Sequence, residues 1–244
     1  MNEKRQDIHN SDIPKLCRAC EARHQGICGA LNNEQLVHLN RYSSQRSIST
    51  GTELVGDEEE ISTYANILSG VIKLAKTMAD GRQQIVGLQF APDFLGRPFH
   101  SSSHVSAEAA SDVKICAFPK SLVESMIAEQ PELEHRLHRQ ALRELDEARE
   151  WMLTLGRKTA AEKVASFLHM IARNVDPYRD PDEAGQAVFD LPLTRADIAD
   201  FLGLTIETVS RQMTRLRKAG IIGIENNRHV TVPDMERLDR AAGN

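Results

Sequence analysis

The stretch Thr205-Ile-Glu-Thr-Val-Ser-Arg-Gln-Met-Thr-Arg-Leu-Arg-Lys-Ala-Gly220 decides how the chain is read. Thr205 is a good N-cap, because its hydroxyl can accept from an early backbone N–H that the helix leaves without a partner. Ile206, Val209, Met213 and Leu216 recur at spacings of three and four and predict one buried face. Gly220, which tolerates positive φ, predicts the helix end. The opposite face presents Glu207, Ser210, Arg211, Thr214, Arg215 and Lys218. Upstream, Thr194-Arg-Ala-Asp-Ile-Ala-Asp-Phe-Leu-Gly203 carries Thr194 and Asp197 at capping-box spacing, which predicts a shorter helix and a glycine turn before the longer one. Such a pair, with arginine and serine outward, is how a helix is offered to the major groove of double-stranded DNA. Arginine forks onto guanine O6/N7, glutamate accepts from a base amino group, and serine adjusts to several edges. Thr205, Glu207, Thr208, Ser210, Arg211 and Arg215 are the candidate DNA contacts. From Thr205 to His229 five basic residues face two acidic ones, inside a chain of net charge −5. Phosphate binding needs only such a local basic face.

Three of the four cysteines sit together as Cys17-Arg-Ala-Cys20 and Cys28, and the fourth, Cys116, lies far downstream in Val113-Lys-Ile-Cys-Ala-Phe118. The polar Met1–Lys15 segment has no apolar signal core, so a cytoplasmic location is expected, where thiols stay reduced. A C-x2-C pair in that setting points to a metal or redox role. Four thiolates suit tetrahedral zinc or an iron–sulfur cluster. Three local ligands and one remote ligand would clip the N-terminal segment to the body of its domain. His24 is an alternative zinc ligand and is read as a solvated loop residue.

The 244 residues, 41% hydrophobic and 27% charged, have the balance of a soluble globular protein, with no apolar run of membrane-spanning length. Leu31–Asn40 predicts a short helix. Between Ile48 and Phe118 short apolar runs alternate with turns, and strands are expected at Thr52–Val55, Tyr64–Leu68, Gly70–Leu74, Gln83–Phe90 and Ala107–Phe118. Ser69-Gly70 and Ala79-Asp80-Gly81 are the tight turns between them. Several strands so spaced make a small antiparallel barrel or sandwich. Helical periodicity resumes at Ser121, and Pro131 can open a second helix. Leu137, Ala141, Leu145, Ala148, Met152 and Leu155 then form a narrow apolar seam on a charged helix, the pattern of a dimerisation helix. Thr159–Arg173 predicts a further helix, Asn174–Gln186 a surface loop, and Ile221–Val232 a β-hairpin wing turning at Asn226-Asn227. The chain thus divides into a cysteine segment (1–30), a β-roll (31–120), a dimer helix (121–158) and a winged helix-turn-helix (159–244), an α+β class overall.

That order of parts resembles the CRP/FNR family of transcription regulators over nearly the whole chain, and the Cys17-x2-Cys20-x7-Cys28 spacing resembles its oxygen-sensing fumarate–nitrate-reduction, FnrL/FnrN-like branch. The resemblance implies a [4Fe-4S] cluster on Cys17, Cys20, Cys28 and Cys116. It also implies reading of a TTGAT-N4-ATCAA palindrome by a homodimer through the E-x-x-S-R motif Glu207, Ser210 and Arg211. RNA polymerase is the implied partner, with the turn Asp80–Gln83 as a candidate contact. Cyclic-nucleotide-binding relatives carry a Gly-Glu and an Arg-Ser/Thr pair in the roll. Here Phe94–Ser103 has no such Glu, and Pro98 follows Arg97, so no cyclic nucleotide is expected. Where some oxygen-sensing relatives have an acidic residue on the dimer seam, this chain has Ala148. A zinc-stabilised regulator without oxygen sensing is the alternative. Neither a metalloprotease motif, a phosphate-binding glycine loop nor a nucleophile motif is present, so no enzyme is expected.

Overall fold

The computed structural model describes residues 13–176 and 185–244. The start of the polar N-terminal segment and most of the loop expected over 174–186 lie outside the described residues. Two compact units are present, one of residues up to Leu74 with Leu88–Glu144, the other of Ala75–Gly87 with Leu145–Asn244.

The cysteine segment is a run of short helical turns: α1 (Lys15–Arg18), α2 (Ala22–Gln25) and a 3-10 turn, Ile27–Ala30. Each turn is closed by local backbone bonds such as Cys17 N–H to Pro14 and Gly26 N–H to Ala22. The expected helix follows as α3 (Asn33–Tyr42), started by a reciprocal capping box between Asn32 and Gln35.

Eight strands build the roll: β1 (Ser44–Ile48), β2 (Glu53–Val55), β3 (Thr63–Ser69), β4 (Val71–Thr77), β5 (Gln83–Phe90), β6 (Phe94–Leu95), β7 (Ser106–Ala109) and β8 (Val113–Pro119). They form two four-stranded sheets, ordered β1-β8-β3-β6 and β2-β7-β4-β5. The run Ala107–Phe118, expected as one strand, breaks at Ala110–Asp112 into β7 and β8, which belong to different sheets. The expected strand positions omitted β1 and β6. β1 is a polar strand, exposed along most of its length, whose pairing with β8 rather than its own pattern makes it a strand. The turn between β3 and β4 needs Gly70, at φ 89°, because a Cβ there would strike the Asp112 carbonyl. The aromatic rings of Tyr64, Phe94 and Phe118 lie in a core with Leu36, Leu39 and Leu133.

Two helices follow, α4 (Lys120–Glu129) and the 27-residue α5 (Pro131–Arg157), with Pro131 opening the second as expected. Leu133 is buried, Leu137 packs against the roll's core, and the Gln140 carboxamide grips both backbone groups of Phe94 at 3.1 Å. From Ala141 to Glu150 every residue of α5 is exposed.

The second unit holds α6 (Ala160–Asn174), β9 (Ala187–Asp190), α7 (Arg195–Leu202), α8 (Ile206–Lys218), β10 (Gly223–Glu225), β11 (His229–Val232) and α9 (Met235–Ala241). Val164, Phe167, Leu168 and Ile171 of α6 are buried beside Ile198, Phe201 and Leu202 of α7. The wing is a three-stranded sheet, β10-β11-β9, rather than a lone hairpin. No described helix is long and apolar enough to cross a membrane.

Candidate nucleic-acid interface and cysteine site

α7 begins at Thr194, whose hydroxyl accepts from Asp197 N–H while the Asp197 carboxylate takes the Thr194 N–H at 3.0 Å. Gly203, at φ 61°, turns the chain into α8. Thr205 caps α8 by accepting from Thr208 N–H at 3.2 Å. At the far end Gly220, at φ 64°, allows a Schellman closure in which Ile221 N–H reaches the Leu216 carbonyl and Gly220 N–H that of Arg217. Val209, Met213 and Leu216 are buried as expected, but Ile206 is 47% exposed. Its position in the first turn places it beyond the packed part of the helix, and Gln212 completes the inner face instead.

Glu207, Ser210, Arg211 and Arg215 stand on the exposed face, with Thr208 half-buried beside them. The Arg211 guanidinium donates to Thr208 Oγ1 at 3.3 Å, which aims the fork along the first turn. Hydrogen bonds from its own backbone N–H and from Thr205 hold the Glu207 carboxyl below its usual pKa, so it is a charged acceptor. Thr214 turns inward, its hydroxyl donating to the Ser210 carbonyl at 2.9 Å. The wing turn spans Asn226–Arg228 between the paired Glu225 and His229, with Asn226 and Asn227 both at positive φ (49° and 58°).

The four cysteines come from three separate parts of the roll unit and meet at one cavity of about 40 Å³. Cys17 lies on α1, Cys20 just after it, Cys28 in the 3-10 turn and Cys116 on β8, opposite Gln45 and Asn66 of the flanking strands. All four are free thiols. Burial is the first cause raising each thiol's pKa; Cys116 is pushed up to about 11. Neighbouring cysteines raise those of Cys17, Cys28 and Cys116 further. Four partly buried sulfurs in one cradle have the donor chemistry of a thiolate-bound metal centre. Among the described residues no three His, Cys, Asp or Glu side chains are drawn together around a single ion.

Polar side chains that the sequence did not single out complete the cradle. Asn66 is 2% exposed, and its amide donates to Cys28 Sγ at 3.3 Å while its Oδ1 is buried with no hydrogen-bond partner. Cys17 Sγ donates to Asn40 Oδ1 at 3.7 Å, and Ser43 hydrogen-bonds Cys116. A polar residue inside the apolar run Tyr64-Ala-Asn-Ile-Leu68 is the signal that could have marked Asn66. His24 is exposed and does not line the cavity.

Of the expected seam, Leu137 is half-buried against its own roll, whereas Ala141, Leu145, Ala148, Met152 and Leu155 are exposed. Leu142 and Leu153, not counted in that seam, are also exposed and widen the apolar stripe.

A β-roll, a long helix and a winged helix-turn-helix with a capped, basic reading helix define a DNA-binding regulator. The chain belongs to the CRP/FNR family of transcription regulators, a family of DNA-binding proteins and not of enzymes. Residues 162–241 match the Crp-like helix-turn-helix domain, and residues 45–130 match the cyclic nucleotide-binding domain. A protein of Rhizobium leguminosarum bv. viciae described as a "probable transcriptional activator" is 59% identical over 98% of both chains. The transcriptional activator protein FnrL of Cereibacter sphaeroides is 41% identical over 95% of both. The solved structure of FixK2 from Bradyrhizobium japonicum, 31% identical, superposes with a TM-score of 0.72 over 82% of this chain and 96% of that one.

Proposed function

We propose that this chain is an oxygen-responsive transcription regulator that activates or represses by promoter, binds a TTGAT-N4-ATCAA type palindrome as a cytoplasmic homodimer, and holds a [4Fe-4S] cluster on Cys17, Cys20, Cys28 and Cys116. The observation that carries the reading is the meeting of four cysteines at one cavity, from turns and a strand that share no local reason to present sulfur there. Zinc sites more often use two closely spaced cysteine pairs, whereas here three cysteines are local and the fourth is remote. A bound cluster supplies thiolate–iron bonds that oxygen can attack. The likeness to FnrL and to the "probable transcriptional activator" of Rhizobium leguminosarum supports activation as one outcome.

The chain's own residues do the rest. Cys116 ties the N-terminal turns to β8. The exposed stripe of α5 offers an apolar face to a second copy, which sets two α8 helices one DNA turn, about 34–36 Å, apart. Glu207, Ser210 and Arg211 read base edges, while Arg215 and the basic end of α8 meet phosphate. The exposed Asp80–Gln83 turn is the proposed polymerase contact. No cyclic nucleotide is part of this reading, because Phe94–Ser103 lacks the Glu of a Gly-Glu pair and Pro98 follows Arg97.

The test is protein purified without oxygen, assayed for iron, sulfide and palindrome binding before and during exposure to air. About four irons per chain, lost together with DNA affinity, is the expected result. A colourless, zinc-retaining protein that binds equally in air overturns it.

A further inference from the structure

Arg136 stands in the second turn of α5, and its side chain reaches back to the cysteine turns. Nη2 donates to the His24 carbonyl at 3.0 Å, in the segment between Cys20 and Cys28. Its Nη1 lies over Gly29, the residue after Cys28, so closely that a Cβ there would collide with it. One guanidinium therefore touches both limbs of the loop that carries Cys28.

The position is electrostatically awkward. Burial and the neighbouring Arg139 and Arg143 all disfavour the charge at Arg136, and of the groups acting on it Cys28, as thiolate, favours it. With four thiolates around an iron–sulfur cubane the site is anionic, and the cation over Gly29, next to Cys28, gains a partner. The differential charge gives Arg136 a different interaction free energy in the two states, which is what any coupling requires.

We propose that Arg136 is the residue through which the state of the cysteine site is passed to α5, its hold on the Cys20–Cys28 loop tightening when the site becomes anionic. The proposal rests on the cluster reading above. Because α5 also carries the exposed stripe from Ala141 to Leu155, the orientation of its first turns biases presentation of that stripe.

The experiment compares the full chain loaded anaerobically with iron and sulfide against the same chain stripped of them. Affinity for the palindrome is measured in both forms for wild type, Arg136→Met and Arg136→Lys. Methionine keeps the aliphatic stem and removes charge and donors; lysine restores the charge. A purely structural role would change both forms alike, so the readout is the loaded-to-stripped affinity ratio. In Arg136→Met the ratio is expected to contract by about fivefold or more with iron content and absorption unchanged, and lysine is expected to recover part of it. A ratio within about twofold of wild type overturns the proposal. Amide exchange of residues 131–140 in wild type, which needs no variant, is expected to slow on loading; unchanged exchange also overturns it. Wild type that takes up no iron, or binds DNA alike in both forms, defeats the cluster reading itself and this proposal with it.

Discussion

Asn66 gives the cysteine site something four sulfurs alone would lack: an N–H donor aimed at Cys28 from within a buried strand. Hydrogen bonds to cluster sulfurs draw electron density from iron and raise the reduction potential. Asn66→Ala is expected to load iron but bleach in air about tenfold faster, with a lower potential by voltammetry; bleaching at the wild-type rate would mean the bond carries no such role. On the reading helix, Arg211→Ala is expected to cost about 1–3 kcal/mol of palindrome affinity, and to relax preference at one base pair per half-site. A uniform loss across unrelated sequences in a binding titration would instead make Arg211 a phosphate contact. These two residues differ in legibility. Arg211 announces itself through spacing on one helix, whereas Asn66 acquires its meaning from a strand register that sets it opposite Cys116 and a fold that brings Cys28 over it.

At the scale of elements, α5 shows both the reach and the limit of periodicity. The apolar stripe was legible because its spacing stands out on a charged helix, and all of it but Leu137 stands exposed. The pattern could not say that Leu137 would be spent on its own roll, or that Leu142 and Leu153 would stay exposed, because that depends on which side Gln140 anchors to Phe94. Leu145 is 44% exposed, so Leu145→Glu is expected to leave the fold's stability within about 0.5 kcal/mol. Sedimentation equilibrium of the loaded protein should then find monomer in place of dimer, with palindrome affinity falling in parallel. A dimer that survives would locate the interface elsewhere. The caps at Thr194, Thr205 and Gly220 all lie where the sequence predicted them, since a cap is a local hydrogen-bond requirement with few residue solutions.

On the scale of the whole chain, the half-buried His169 is expected to make the C-terminal unit sensitive to acid. Burial lowers the pKa of His169 on α6, opposed by Asp239 on α9 at 3.5 Å, with Arg173 and Lys158 adding to the lowering. The unfolded chain takes the proton more readily, near pH 6.5. The stability from keeping His169 neutral is therefore complete above that value and is lost as pH falls through the folded pKa. Thermal unfolding of the stripped protein between pH 7.5 and 5 is expected to show this loss, and His169→Gln to flatten it; an unchanged pH slope in the variant would assign the loss to other groups.

What the sequence by itself determined were the features that need only neighbours a few residues away: the helix caps, the glycine turn, the reading face of α8, the C-x2-C pair and the stripe of α5. Strand membership lay beyond it, because β1 is a strand only through its pairing with β8, and Ala107–Phe118 divides because its two ends belong to different sheets. Only the tertiary structure brought Cys116 to the other three cysteines, set Asn66 against Cys28 and laid Arg136 across Gly29. Those contacts join residues tens of positions apart, and their energies come from burial and charge that exist only once the chain has closed on itself.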